Sequence, residues 1–330
     1  MAVERPIHPD ILPRLDPEYV AFHNEHLTSY LHVHEIPWDP SIRNAPTVPG
    51  GSKPLQVGAI ADYTLENCQV RVFTPEGPVP SKGWPVFIFF HGGGWTLGSI
   101  NSENSFCTNM CKYATCVVVS VDYRLAPENP YPAAVEDAVQ ALEWVWSQGK
   151  STLNVNLDQI AVGGSSSGGN LSAILTHKAA LRTPPIPLVF QLLIVPVTDN
   201  TASELGDLYP SWAENRETTW LHPAKMMWFR KTYLPNEVDW PKWDSSPILA
   251  PDELFRKSPK TWIAVTELDV LRDEGIAYGK KLGDAGVEVE VQVYKGAPHP
   301  IMAMDGTVLN VGRQLVSDAA LALAEAFETT

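Results

Sequence analysis

Short apolar runs recur along the middle of the chain and alternate with segments of helical periodicity. VFIFF, CVVVSV and LVFQLLIV are examples, and uninterrupted runs of this kind are typical of strands buried on both faces of a parallel sheet. Between them, residues 133–148 place apolar side chains at the spacing of an amphipathic helix. The alternation predicts an α/β fold with a mostly parallel, doubly wound sheet.

The pattern predicts eight strands and six longer helices. The strands are residues 57–63, 69–74, 85–90, 116–121, 159–162, 188–195, 261–266 and 288–294. The helices are residues 17–31, 133–148, 166–181, 223–233, 271–285 and 308–327.

Two stretches break this rhythm. Residues 1–50 are rich in proline and histidine, and residues 198–259 carry many tryptophans between two predicted core strands. We interpret residues 1–50 as an N-terminal cap segment and residues 198–259 as a cap or lid insertion within a catalytic domain of residues 51–330. Ordinary surface packing of an α/β domain is the alternative interpretation of both stretches.

Composition and charge narrow the possible partners. The chain has 330 residues, of which 44% are hydrophobic, enough for one large domain with an elaboration. A formal net charge of -14 argues against nucleic acid and against adsorption to anionic membranes. Without a spanning apolar stretch or a signal-peptide pattern, we expect a cytoplasmic protein with no stable membrane insertion.

Cysteine and histidine give little sign of a metal site. The four cysteines form no C-x-x-C pair, so reduced, buried thiols are favoured over a redox or metal site. Five histidines lie in the N-terminal segment, but no acidic or cysteine ligand pattern accompanies them. They are His8, His23, His26, His32 and His34. We expect solvated or lid-lining roles for them, and no metal or cofactor.

A candidate nucleophile lies in IAVGGSSSGGNLSAIL, residues 160–175, which has the pattern of a strand, a glycine-rich turn and a helix. The run GSSSG fits G-x-S-x-G with Ser166 at its centre, and such a turn lifts a hydroxyl above the sheet edge at a helix N-terminus. A flexible linker or a chance match is the alternative. Ser165 and Ser167 leave open which serine reacts, although only Ser166 lies between correctly spaced glycines.

A second glycine-rich segment, HGGG at residues 91–94, follows a predicted buried strand. Acyl hydrolysis passes through a tetrahedral oxyanion, which backbone N–H groups in a loop without side chains can stabilise. The candidate donors are the amides of Gly93, Gly94 and Ser167. A plain glycine turn would be the favoured interpretation if this motif stood alone.

A candidate base and acid follow later in the chain. His299 lies on a loop after the last predicted strand, at the sheet edge where open α/β sheets place their sites. Asp269 comes just after the strand at 261–266, whereas Asp273 and Glu274 fall within the next helix. Serine, acid and then histidine is the triad order of the α/β-hydrolase fold. We therefore predict that Asp269 orients His299, which accepts the Ser166 proton.

Together these segments resemble the hormone-sensitive-lipase-like, HGGG-type carboxylesterases of the α/β-hydrolase fold. The resemblance covers about residues 85–305 and includes HGGGW at 91–95, DYRLAPENPYPAAVEDA at 122–138, GGSSSGGN at 163–170 and DVLRDEG at 269–275. It implies activity on short acyl or aryl esters, an N-terminal cap and a Ser166–His299–Asp269 triad. The oxyanion donors that it implies are the amides of Gly93, Gly94 and Ser167.

The sequence departs from this family beside the nucleophile and beside the histidine. Ser165 replaces the usual aspartate and Ser167 the usual alanine, while Pro300 follows His299 where the family often has glycine. We expect loss of the acid to change the support of the turn and the electrostatics of the site, but neither departure removes a catalytic group. The family resemblance also implies a structural role for residues 123–128, where we expect Arg124 and Glu128 to pair internally.

The sequence thus predicts a serine hydrolase that cleaves carboxylic esters of small molecules through an acyl-enzyme. Trp95, His91 and Trp220 are candidate substrate contacts. Amide or lactone hydrolysis by the same triad is the first alternative, and a non-catalytic small-molecule receptor is the second. A dinucleotide-dependent oxidoreductase is disfavoured, because its glycine-rich turn should follow the first strand. Strand 288–294 and the C-terminal helix are compatible with a homodimer.

Overall fold

The computed structural model describes residues 5–30, 32–44 and 48–329, and within these ranges eight strands form one sheet. The strands are β1 Ala59–Thr64, β2 Gln69–Thr74, β3 Trp84–Phe90, β4 Val117–Asp122, β5 Val155–Ser165, β6 Phe190–Ile194, β7 Lys260–Leu268 and β8 Val289–Pro298. Their order is β1-β2-β4-β3-β5-β6-β7-β8. β2 pairs antiparallel with β1 and β4, and every other pairing is parallel.

The central strands explain why the apolar runs predicted a doubly wound sheet. Every residue of β3 and of β6 is buried, so both faces of these strands are covered. Helix α3 packs against α4, and α2 packs against α9. The predicted α/β fold with a mostly parallel, eight-stranded sheet is confirmed.

Nine α-helices lie within the described residues. They are α1 Pro17–His26, α2 Asn104–Tyr113, α3 Ala133–Leu153, α4 Ser167–Leu181, α5 Ser211–Glu214, α6 Pro223–Tyr233, α7 Asp252–Phe255, α8 Arg272–Asp284 and α9 Val311–Ala326. None of them is long and apolar enough to cross a bilayer.

Several predicted boundaries differ from the structure, among them the end of the first helix. α1 ends at His26, short of the predicted end at residue 31, which lies outside the described residues together with residues 1–4 and 45–47 of the predicted cap segment. α2 contains Cys107 and Cys111, whose spacing of four residues is helix-like in the sequence. Its N-terminal neighbour Glu103 lies against the glycine-rich loop, so its position depends on contacts that are remote in sequence.

The expected internal pairing of Arg124 with Glu128 is wrong. The Arg124 guanidinium contacts the buried Asp137 in α3 at 2.8 Å, and its backbone N–H donates to the same carboxylate at 2.7 Å. Glu128 instead pairs with Arg43 at 2.6 Å. Asp137 has no access to water, so its carboxylate needs an ion-pair partner and takes the Arg124 guanidinium. Glu128 lies nearer the surface and pairs elsewhere.

The parallel strands end where the candidate catalytic residues begin. Ser166 follows the last residue of β5, Asp269 the last residue of β7 and His299 the last residue of β8. β6 lies between β5 and β7, and β8 is next to β7. The sheet therefore delivers the three side chains to one edge, at the carboxyl ends of its strands.

Candidate active site

The three candidate triad residues form a continuous chain of hydrogen bonds. Nδ1 of His299 lies 2.7 Å from Oδ2 of Asp269, and Nε2 lies 2.9 Å from Oγ of Ser166. Asp269 is fully buried, and its other carboxylate oxygen accepts the Leu271 amide at 3.0 Å. The carboxylate is held in place, so it fixes which ring nitrogen of His299 faces the serine.

Ser166 lies on a strained turn between β5 and α4. Its backbone has φ 53° and ψ -113°, a conformation that residues with a side chain rarely adopt. The turn is possible because Gly168 has no side chain: a Cβ at this position would lie 1.9 Å from the Phe90 carbonyl oxygen. The Ser166 amide donates to the Ile194 carbonyl at 2.8 Å, which ties the turn to the next strand.

The three adjacent serines have different surroundings. Ser165 is buried and its hydroxyl donates to Glu103 at 2.8 Å. Ser167 is also buried, with its hydroxyl 3.3 Å from that of Tyr123. Ser166 alone is partly exposed and contacts His299. The geometry therefore favours Ser166 as the reacting serine.

The candidate oxyanion donors lie around the same point. Gly93 and Gly94 adopt φ values of 121° and 61°, which turn the loop after β3 sharply. Among the described residues, no acceptor is bonded to either of their amides. Ser167 is the first residue of α4, where N–H groups have no partner within the helix. These amides are free to donate to a developing oxyanion.

Replacing Gly93 by alanine should reduce kcat for ester hydrolysis by about 10²- to 10³-fold, the cost of losing an oxyanion donor. A Cβ at Gly93 would lie 2.2 Å from the Leu97 carbonyl oxygen, so the loop must move. Gly77→Ala is the matched control, because Gly77 also has positive φ but open space around its Cβ position. Steady-state kinetics on p-nitrophenyl acetate tests this, and equal activity of the two variants would contradict it.

Glu103 is a residue of this region that no pattern in the sequence identifies. Its carboxylate accepts the Ser165 hydroxyl at 2.8 and 3.0 Å, and the Gly92 amide lies 3.4 Å from both oxygens. It therefore joins the nucleophile turn to the glycine-rich loop. The only sequence signal was indirect: Ser165 lacks the acid expected beside the nucleophile, and Glu103 brings a carboxylate to Ser165 from a remote segment.

Burial raises the pKa of Glu103 to about 7 from an ordinary value of 4.5. A raised carboxyl pKa means that the folded state holds a proton that the unfolded state releases, so stability should fall as pH rises from about 4.5 to about 7. Glu103→Gln should flatten this fall. Urea unfolding of the wild type and of Glu103→Gln across that pH range measures the free energy of unfolding of each protein. Burial also raises the pKa of Glu274, but this residue is present in both proteins and contributes equally to both curves. The same fall in stability with pH in both proteins would contradict the prediction.

A cavity of about 1570 Å³ opens above Ser166. Its walls come from the glycine-rich loop, from the segment after His299, from the N-terminal residues and from residues 220–229. The apolar side chains that line it include Tyr30, Val33, Ile42, Trp95, Leu221, Met226, Phe229 and Met302. A largely apolar cavity with the Ser166 hydroxyl in its wall fits a small organic substrate.

The three predicted substrate contacts differ in position. Trp95 and Trp220 line the cavity, with Trp95 stacked on Tyr233 at 4.5 Å between ring centres. His91 does not line it, so the expectation of a substrate contact is corrected. This ring is 1% exposed, stacks on Tyr123 and donates from Nδ1 to the Gly92 carbonyl at 2.7 Å. The His91 ring therefore packs against the glycine-rich loop on the side away from the cavity, where it is bonded to the Gly92 carbonyl.

Comparison with known proteins agrees with this geometry. A family model described as the α/β hydrolase fold matches residues 87–303, which is more than half of the chain. The chain belongs to the hormone-sensitive-lipase-like family of α/β-hydrolases. The match begins within β3 and ends just after His299, so it includes all of the candidate site residues.

Relatives of this α/β-hydrolase include named esterases. It is 46% identical to an AB hydrolase superfamily protein of Schizosaccharomyces pombe, over 98% of this chain and 97% of that protein. It is 39% identical to the carboxylesterase NlhH of Mycobacterium tuberculosis, over 69% of each chain. The structure of carboxyl esterase 2 from Tuber melanosporum superposes with a TM-score of 0.83 at 25% identity, covering 95% of this chain and 99% of that one. The predicted carboxylesterase-type hydrolase is confirmed.

Proposed function

We propose that this carboxylesterase works through Ser166 as nucleophile, His299 as general base and acid, and Asp269 as the residue that orients His299. The observation that carries the proposal is the chain of hydrogen bonds from Asp269 to His299 at 2.7 Å and from His299 to Ser166 at 2.9 Å. The position of Ser166 on the wall of the cavity supports it, because a substrate held in the cavity can bring its ester carbonyl to Oγ.

The proposed cycle is acyl transfer in two steps. Nε2 of His299 takes the Ser166 proton as Oγ attacks the ester carbonyl, and the amides of Gly93, Gly94 and Ser167 stabilise the oxyanion. His299 then gives that proton to the leaving alcohol, which departs and leaves an acyl group on Ser166. Water, deprotonated by the same ring nitrogen, releases the carboxylic acid and restores the serine. No step requires a cofactor.

The substrates that we propose are small esters with short acyl or aryl groups. Support comes from the position of Phe229, whose ring packs directly against Gly94 in the candidate oxyanion loop. A Cβ added at Gly94 would lie only 2.3 Å from this ring. A bulky acyl group beside this loop would have to displace the Phe229 ring. A long acyl chain has to follow the cavity in another direction, past Met302 or towards Trp220.

A substrate panel tests the proposal. We expect turnover of p-nitrophenyl acetate and butyrate, falling towards the decanoate, and no detectable turnover of the matched amide p-nitroacetanilide. Faster hydrolysis of the amide or of a lactone would replace this proposal by the amidase or lactonase alternative. Ligand binding without turnover of any ester would favour the receptor alternative.

We further propose that the N-terminal residues and the insertion act together as a cap. Tyr30 and Val33 from the first, and Leu221 and Phe229 from the second, line the same cavity as Ser166, which supports a lid role for both. Removing bulk from this wall, as in Leu221→Ala, should change the acyl-length profile and leave the acetate rate similar. An unchanged profile would argue that the two segments are surface packing.

Two further proposals concern the assembly and location of the protein. β8 lies at the edge of the sheet and exposes Val293, which supports a homodimer formed by pairing of this edge; light scattering should then give twice the chain mass.

The four cysteines are all unpaired, which supports a reducing, cytoplasmic location. Microscopy of the tagged protein in its native cell tests the second proposal.

A further inference from the structure

Three histidine rings meet where the N-terminal segment contacts the insertion. His32 and His34 come from the short 3-10 turn Val33–Glu35 and its N-terminal neighbour, and His222 directly precedes α6. One ring nitrogen of each lies within 4.8 Å of the others. The sequence led us to expect no metal site among the N-terminal histidines, because no acidic or cysteine ligand pattern accompanies them. His222 is remote in the chain, and only the fold brings it to His32 and His34.

The spacing of the rings suits a common metal ion. A tetrahedral Zn²⁺ with Zn–N distances of about 2.0–2.1 Å holds its imidazole ligands with ring centres about 5 Å apart. The three pairs of ring centres here are separated by 5.6, 5.4 and 4.7 Å. The rings are tilted by 53° to 76° to one another rather than stacked. One nitrogen of each ring already lies within 4.8 Å of the other two, so the three rings surround a space of the size of a metal ion and its bonds.

The hydrogen bonding of these rings is incomplete. His32 is 7% exposed, and among the described residues no partner reaches its Nδ1 or that of His34. A buried imidazole nitrogen without a partner is costly, because it has given up its bonds to water. A metal ion would satisfy such a nitrogen as a ligand.

The charged neighbours set the limits of this site. Arg5 and the buried Lys225 bring positive charge towards the rings, which opposes a cation. Glu35 brings negative charge, which favours one, although its carboxylate is also bonded to Arg5.

We propose that His32, His34 and His222 form a binding site for a divalent transition metal ion, with Zn²⁺ as the ion whose preferred ligands and geometry they match. The site is separate from the Ser166 machinery. Its ligands come from both segments that line the cavity, where Val33 is adjacent to two of them and Leu221 to the third. A bound ion would therefore join the N-terminal segment to the insertion and stiffen the cavity wall.

Zinc titration of the full chain tests the site. Protein without an affinity tag is stripped with a chelator and titrated with Zn²⁺ by calorimetry. We expect one ion per chain and a rise in Tm at saturating zinc, because an ion that binds only the folded state stabilises it. His222→Asn should weaken the affinity by at least about tenfold. His26→Asn is the matched control, because His26 is an exposed histidine of the same segment, and it should bind as the wild type does.

Three results would overturn the proposal. The first is no saturable zinc binding by the wild type, and the second is a zinc affinity of His222→Asn equal to that of the wild type. The third is a loss of zinc affinity in His26→Asn as large as the loss in His222→Asn. Zinc held by His299 would give the second result together with inhibited ester hydrolysis, so that outcome also counts against the site. If His222→Asn does not fold, the partly exposed His34→Gln provides the same test, with circular dichroism as the check of folding.

Discussion

Replacing Ser166 by alanine should reduce kcat for p-nitrophenyl acetate by about 10⁴- to 10⁶-fold, close to the background left by binding and the oxyanion hole. The reason is local. Ser166 Oγ is the hydroxyl that lies 2.9 Å from Nε2 of His299, and no other serine side chain of the turn contacts that ring. Without Oγ there is no acyl-enzyme, and water must attack the ester directly.

The two neighbouring serines provide matched controls within the same turn. Ser165→Ala removes a hydroxyl bonded to Glu103, and Ser167→Ala removes one near Tyr123 but keeps the backbone N–H that we assign to the oxyanion hole. Both variants should keep kcat within about tenfold of the wild type. Loss of activity in Ser165→Ala or Ser167→Ala, with activity retained in Ser166→Ala, would assign the nucleophile elsewhere.

Replacing Asp269 by asparagine should reduce kcat by about 10⁴-fold with little change in KM. The carboxylate accepts a hydrogen bond from Nδ1–H of His299, with 2.7 Å between Nδ1 and Oδ2, which leaves Nε2 free to accept the Ser166 proton. An amide in its place can donate to Nδ1, and the ring then carries its proton on Nε2, where it cannot act as a base. Asparagine keeps the shape of the side chain, so the loss would be electronic rather than steric.

Asp273→Asn is the control for this prediction, because Asp273 lies only four residues away and bonds the Ser211 amide and Arg272 instead of His299. Its kcat should remain within a few-fold of the wild type. Kinetics of both variants on one ester distinguishes the roles of the two acids. If Asp269→Asn stayed within about tenfold of the wild type, Asp269 would not orient the histidine.

The sheet could be predicted from the sequence because its signal is local. The run VFIFF becomes β3, whose residues are all buried, and the glycine-rich turn after β5 has the strand–turn–helix setting that its pattern indicated. The positions of Ser166, Asp269 and His299 directly after strand ends also followed from local patterns. Strand limits differ by a few residues, as at β8, which extends to Pro298.

What the sequence did not reveal depends on contacts between remote segments. Glu103 reaches Ser165 across 62 residues, and no local pattern identifies such a pair. His222 joins the N-terminal histidines only through the packing of the insertion. The Arg124 pairing was wrong because a buried Asp137 competed for the same guanidinium. The prediction that His91 contacts the substrate was wrong, because its position beside the glycine-rich loop does not determine the direction in which the ring points.

Covalent labelling tests the central claim most directly. A fluorophosphonate reacts with a serine only when that hydroxyl is activated by a base beside oxyanion donors. Peptide mass spectrometry of the labelled wild type is expected to find one phosphonate per chain, on Ser166, with ester hydrolysis lost in proportion to labelling and no label in Ser166→Ala. A label on Ser165 or Ser167, or full labelling of the Ser166→Ala protein, would contradict the account.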